Sequence, residues 1–336
     1  MVALSGTAAD FDDLWTKFVD HITNDPTLTN AGENWTQAWN SGNSYVFTGP
    51  GSAGADTICV GIEKVKDSAS QIFEWNIRGM THVVANATSL SGHANPTPHD
   101  VRIMLADMQM PYWLSVSGRR IILVVKISTY YEVFYGGFFL PYLTPSEYPY
   151  PLFIGGSAGE RKTDSSSSSP FKWSDDVDGH TNFLFTDEYS PSSSYGRRTS
   201  GHAIGPDGQW HVFDHAGTSS LWQWVFWPTY NGYRLGRQPA SLIDWSGSPK
   251  NPIYAPDLIE RSRQALGGGP NAHPGWPAVL MQRDGAAVHG QLDGVYRVSA
   301  DNVSAESTIT VDGQTCIVFP NIWRTGAKDM WAMKHA

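Results

Sequence analysis

The 336-residue chain carries 14 Trp and 12% aromatic residues but only 16% charged residues, against about 25% in an average domain, so it either buries a large core or keeps aromatic surface for a partner. Its formal net charge is −9, and its basic residues gather no further than adjacent pairs such as Arg119-Arg120 and Arg197-Arg198, which argues against nucleic acid or an anionic membrane as partner. Two cysteines cannot frame a disulfide scaffold; Cys59 and Cys316 each lie in a strand-like run and read as buried thiols, with a bridge between them as the alternative.

The first residues, MVALSGTAADFDD, have neither a basic region nor a hydrophobic core, so no secretory signal is expected. Phe11, Leu14, Trp15, Phe18, Val19 and Ile22 follow the i, i+3, i+4, i+7 rule of an amphipathic helix. Thr7 or Asp10 can cap it, Asp12 and Asp13 suit the positive end of its dipole, and Asn24-Asp25-Pro26 stops it. Trp35 and Trp39 suggest a second short helix.

From Ser44 the period changes to two. SYVFTGP, DTICVGIEKV and QIFEWNIRGM are strand candidates between Gly/Pro/Ser turns. WLSVSGRRIILVVKIS reads as a hairpin around Ser117-Gly118, continued by YYEVFYGGFF. Gly136-Gly137 inside that run predicts a bulge or a close backbone approach. The region from Ile121 to Tyr142 is the most apolar, but Lys126, Ser128, Thr129 and Glu132 interrupt it. A bilayer span needs about 20 mostly apolar residues, so this region reads as strands and no membrane span is expected.

LPYLTPSEYPYPLFIGGS follows, Leu140 to Ser157. Pro141, Pro145, Pro149 and Pro151 remove backbone donors, and each pushes its preceding residue toward extended geometry. This predicts an ordered, extended arm outside any ladder, whose rings pack on the chain's own sheet or on a neighbouring subunit. Tyr142, Pro145, Tyr148, Pro149, Tyr150 and Phe153 are the candidate interface residues.

Residues 158–200 are polar, with serines from Ser165 to Ser169, and read as an exposed loop or insertion in which TNFLFTDEY is a single strand. HAIGPDGQWHVFDH predicts a hairpin turning on Pro206-Asp207-Gly208. Residues 216–284 are rich in Trp, Pro and Gly and read as irregular, with Asp257 to Leu266 as the helix candidate. GVYRVSA, STITVDG and QTCIVFPNIW return to β, with Asp312-Gly313 as a hairpin signal. SAGADTICV and SAESTITV are a weak internal match. The expected fold is mainly β, with β-sandwich-like sheets, long irregular loops and an N-terminal amphipathic helix; α+β is the alternative. Five stretches organise it: 1–42, 43–157, 158–200, 201–284 and 285–336.

Few residues point to chemistry. GPGSAG (Gly49 to Gly54) matches the letters of a nucleotide loop, but strand-like DTICVGI follows where a helix is needed, so it reads as a turn. His211 and His215, with Asp214, are metal candidates, yet that spacing sets the histidines about 13 Å apart on a strand. There is no HExxH. Asp175, Asp176 and Asp178 sit in the Ser-rich loop and Asp187-Glu188 end a short strand, poor places for a rigid carboxylate pair. No catalytic residue, metal or cofactor is assigned, and no enzyme activity is expected. Trp222, Trp224 and Trp227 form a possible aromatic patch, either a sugar-stacking platform or core and interface filler; adjoining Val225, Phe226 and Pro228 favour the second.

GRRIILVVKISTYYEVFYGGFFLPYLTPSEYPYPLFIGGS (Gly118 to Ser157) and GQLDGVYRVSADNVSAESTITVDGQTCIVFPNIWRTG (Gly290 to Gly326) resemble segments of structural proteins of tailed-bacteriophage particles. The likeness spans roughly residues 7–157 and 285–336. It implies a virion component of the tail or baseplate, made in the host cytoplasm, which contacts other virion proteins and copies of itself in a symmetric assembly. It implies no enzyme activity. A carbohydrate-binding or carbohydrate-cleaving virion protein acting on the host envelope is the alternative, and an enzyme with a scattered site around His211 or His215 is a third reading.

Overall fold

The computed structural model describes residues 1–51, 54–158, 182–184, 201–212, 222–225, 276–282, 288–298, 303–322 and 330–335. Among these, strand outweighs helix by 53% to 11%, in three antiparallel sheets with an N-terminal helix. The fold is therefore mainly β.

The helix α1 spans Phe11–Asn24. Asp10 caps it, its side chain accepting from Asp13 N at 2.8 Å. Phe11, Leu14, Trp15, Phe18 and Ile22 form its buried stripe. Pro26 does more than stop this helix: it opens α2 (Pro26–Ala31), where its missing N–H costs nothing, and Asp25 caps that turn too. Asp10→Ala should lower the unfolding free energy by about 1 kcal/mol, read as a shift in urea midpoint at unchanged slope.

The second helix expected around Trp35 and Trp39 is not there. Trp39 lies in a strand, and Trp35 just precedes it, with its indole N–H donating to Ser117 O at 2.8 Å. A spacing of four is also two strand repeats, so it could not discriminate.

The N-terminal sheet holds β2 (Thr36–Ser41), β3 (Ser44–Gly49), β4 (Ile58–Asp67), β5 (Ile72–Met80) and β6 (Val101–Met104), in that order. The central sheet is built from β1 (Val2–Ala8), β7 (Met110–Ser117), β8 (Arg120–Ile127), β9 (Tyr130–Phe138), β11 (Leu152–Gly155), β12 (Gly201–Ile204) and β13 (Trp210–Val212). The C-terminal sheet runs β14 (Trp222–Val225), β15 (Trp276–Gln282), β16 (Val288–Val298), β19 (Met330–Lys334), β18 (Gln314–Pro320) and β17 (Thr308–Val311), with β10 (Leu140–Pro141) also paired to β16. Sheets draw on more than one sequence stretch: β1 pairs β7 throughout its length.

The central sheet is buried on both faces, and its sequence shows how. In RIILVVKI, Ile121, Leu123, Val125 and Ile127 join the core shared with α1 and the N-terminal sheet. Ile122 and Val124 point the other way, into a core with Val295, Ile317, Phe319, Trp331 and Met333 of the C-terminal sheet. Period-two alternation thus divides one apolar run between two layers. The first core is aromatic at its centre: Trp75 stands edge-on to Trp15 at 5.2 Å and 5.1 Å from Phe18.

Buried charge joins the layers. Arg102 on β6 donates to Glu74 on β5 at 2.9 Å, and both are buried. Its backbone N–H donates to Ala158 O at 2.7 Å, tying the sheet edge to the segment after β11. Arg120, at the start of β8, is fully buried; it donates to Ser115 O at 2.8 Å and lies 3.4 Å from Asp293 on β16.

His202 on β12 is fully buried, and among the described residues neither ring nitrogen has a hydrogen-bond partner. Burial, with lesser contributions from neighbouring His99 and Arg78, pushes its pKa down to about 3. An unfolded His titrates near 6.5. Below that pH the unfolded chain takes a proton that the folded chain refuses, so this contribution is level above pH 7 and falls from about pH 6.5 toward pH 3. The slope is about 1.4 kcal/mol per pH unit. Replacing the ring by Phe should flatten the stability profile between pH 6.5 and 4, measured as urea midpoints of both proteins; parallel profiles would contradict it.

Candidate interface: the proline- and tyrosine-rich arm

The arm begins and ends in ladders, which corrects the expectation that it avoids them. Leu140 pairs with Gln291 and Pro141 with Gly290. The ladder runs on one residue further, Tyr142 N donating to His289 O at 2.9 Å. At the other end Phe153, Ile154 and Gly155 pair with both β9 and β12, while Leu152 pairs with β9 alone. Proline at Pro141 is tolerated because β10 is only two residues long.

Nor is the middle extended. Thr144 opens a tight turn: Glu147 N and Tyr148 N donate to its carbonyl at 3.0 and 2.9 Å. The Glu147 carboxylate reaches back and accepts from Thr144 N at 3.1 Å and from its hydroxyl at 2.7 Å. These bonds hold the Glu147 carboxyl below its ordinary pKa, the hydroxyl contributing most. The signal was present in Thr144-Pro145-Ser146-Glu147, a T-x-x-E capping pattern with Pro at the first turn position.

The six candidate interface residues divide. Tyr148 and Phe153 are buried in the chain's own core. The Tyr148 hydroxyl donates to Ile204 O, and its ring stands edge-on to Phe139 at 5.3 Å. Phe153 packs against Tyr135 and Phe183. Tyr150 is partly buried; its hydroxyl lies 2.7 Å from Thr57 O and 3.1 Å from Met80 O and accepts from Cys59 N at 3.3 Å. Burial drives the phenols of Tyr148 and Tyr150 far above their ordinary pKa, so both act as neutral donors. Tyr142, Pro145 and Pro149 face outward, with Tyr142 55% exposed and its hydroxyl donating to Gln291 Oε1 at 3.0 Å. The rings of Tyr148, Tyr150 and Phe153 thus have a host in this chain. The arm fastens all three sheets to one another: β10 to the C-terminal sheet, Tyr148 and β11 to the central sheet, Tyr150 to the ends of β4 and β5.

Tyr148→Phe leaves the Ile204 carbonyl buried without that donor. A loss of about 1–3 kcal/mol is expected, measured by urea unfolding; a change below a few tenths would show the bond to be dispensable.

Other candidates resolve more simply. GPGSAG joins β3 to β4; no helix follows, and Gly51 N donates to Gly118 O at 2.8 Å. Cys59 and Cys316 are both buried and free, so the bridge does not form; burial pushes each thiol up to about 11. HAIGPDGQWHV forms the expected hairpin, β12 to β13, in which His211 lies 3.0 Å from Asp207. Asp214 and His215 lie outside the described residues, and among the described residues no three His, Cys, Asp or Glu gather as metal ligands. Of TNFLFTDEY, residues 182–184 are described, with Phe183 and Leu184 in a turn and Asn182 N donating to Asn321 Oδ1 at 3.1 Å; the rest of the expected strand lies outside the described residues. Trp222 and Trp224 occupy alternate positions of β14, in register with Gln282 and Leu280. Trp227, the Asp257–Leu266 helix candidate and the carboxylates Asp175, Asp176, Asp178, Asp187 and Glu188 lie outside the described residues. Among the described residues no helix is long and apolar enough to cross a membrane.

No family model matches the chain, and no curated protein matches it either.

Proposed function

We propose that this chain is a structural component of a tailed-bacteriophage particle, at the tail or baseplate, acting through contacts with other virion proteins rather than through chemistry. The resemblance of Gly118 to Ser157 and of Gly290 to Gly326 motivates the reading. The observation that carries it is the outward edge of the arm. Tyr142, Pro145 and Pro149 stand in solvent on a backbone already held by a ladder at each end and a capped turn between. A ring presented this way loses little conformational freedom when a partner closes over it. Among the described residues Arg102, Glu74 and Arg120 are buried between strands.

Mass spectrometry of purified particles from the producing host tests the reading: the chain should be found in fixed ratio to known tail proteins, and its absence from the particle overturns it. Tyr142→Ala should keep the wild-type melting temperature while incorporation falls by roughly tenfold, the loss typical of an aromatic anchor.

A further inference from the structure

We infer that β2 is a docking edge for a second copy of this chain, the two β2 strands pairing antiparallel across a two-fold axis and extending the N-terminal sheet from one copy into the next. Among the described residues β2 lies at the sheet edge and pairs with β3 alone. Thr36, Gln37, Ala38, Asn40 and Ser41 are exposed, so side chains on both faces of the strand meet water. Trp39 is the exception: it is partly buried on Val46, Cys59, Met80 and Leu90, edge-on to His93 at 4.7 Å, and it holds the hairpin to the body of the sheet. The result is an ordered strand whose outer backbone groups have no strand to pair with among the described residues.

Edges of this kind are ordinarily blunted by charged side chains, proline or a bulge. Here one device is used, an irregularity between Gln37 and Trp39. It bends one end and leaves Trp39–Ser41 in regular register with β3. Three other edges differ from β2: β6 is bridged through Arg102 to Ala158, β17 is four residues long and flanked by Glu306 and Asp312, and β1 is mostly half-buried; β13 and β14, which end the other two sheets, are only three and four residues long.

Charge selects the occupant. From Asn34 to Ala55 there is no charged residue, although the whole chain carries −9. Two copies pairing along β2 bring no charged residue of β2 or β3 against one another. A two-fold axis lets the same short strand serve both partners. An interface this small is weak on its own, so dimer should appear with rising concentration. This inference stands apart from the particle reading, because it concerns the purified chain alone.

Sedimentation equilibrium over a concentration series tests it. Wild type should show monomer and dimer. Gln37→Lys/Asn40→Lys and Gln37→Glu/Asn40→Glu should each stay monomeric with unchanged melting temperature, since both positions are exposed, and their equimolar mixture should dimerise. Amide exchange on the wild-type protein should slow at Trp39–Ser41 as concentration rises. The inference is overturned by wild type that is monomeric to its solubility limit, by a wild-type trimer or open polymer, by double variants that dimerise like wild type, by a mixture that stays monomeric, or by amide exchange at Trp39–Ser41 that ignores concentration.

Discussion

Arg102→Met lowers the unfolding free energy by about 3–5 kcal/mol, the loss expected when one partner of a buried ion pair is removed. Arg102 and Glu74 are both almost wholly shielded from water, and the guanidinium lies 2.9 Å from the carboxylate. Methionine fills much of the arginine stem's volume, so packing is largely kept; what remains is a carboxylate inside the N-terminal sheet without its counter-charge. The site is also where β6 meets the segment after β11, Ser157 N and Ala158 N both donating to Arg102 O. Local loosening therefore reaches the junction of two layers. The diagnostic is the double variant Arg102→Met/Glu74→Leu, which removes both charges and should recover most of the loss. Urea unfolding of the two variants checks this, and a single variant within 1 kcal/mol of wild type would contradict it.

Gly137→Ala is the second large effect, about 4 kcal/mol from backbone strain and overpacking combined. Gly137 has φ 140°, and a Cβ there would fall 2.3 Å from Arg119 O and 2.5 Å from Arg120 Cα. Both obstacles are backbone, and Arg119 O already accepts from Phe138 N at 2.8 Å. The residue pairs with Arg120 on one side and Phe153 on the other, so neither neighbour can withdraw without opening a ladder. Gly313 is the control. Its φ is 76°, but nothing lies within 4 Å of a Cβ there, so Gly313→Ala should cost only about 1 kcal/mol. Thermal melting of the two variants side by side separates crowding from φ: equal shifts would mean that the backbone collision is relieved at small cost.

The same glycine shows what could be read in advance. Gly136-Gly137 in a strand run announced a bulge or a close approach; the register through both residues is continuous, so close approach is the reason. The helix α1 was legible because its apolar period and caps are local. The hairpins at Ser117-Gly118, Pro206-Asp207-Gly208 and Asp312-Gly313 were legible for the same reason. β1 and β6 were not. VALSGTA alternates weakly and owes its conformation to pairing with β7, a partner far along the chain. VRIM is too short to show a period. For the arm, proline foretold an ordered, ring-bearing segment, but the direction of each ring depends on partners remote in sequence. The turn at Thr144 to Glu147, by contrast, has a local cue in its T-x-x-E pattern.

The arm's remote partners also set a timetable for the growing polypeptide. Tyr150 meets Thr57, which precedes it by 93 residues, and so has its anchor waiting as it emerges. Tyr148 must wait for Ile204, 56 residues later, and Tyr142 for Gln291, 149 residues later. At about 5–20 residues per second of synthesis, that last interval is about 7–30 s. Tyr148 can therefore seat against the central sheet well before Leu140 to Tyr142 meet β16, so the arm closes from its far end back toward β10.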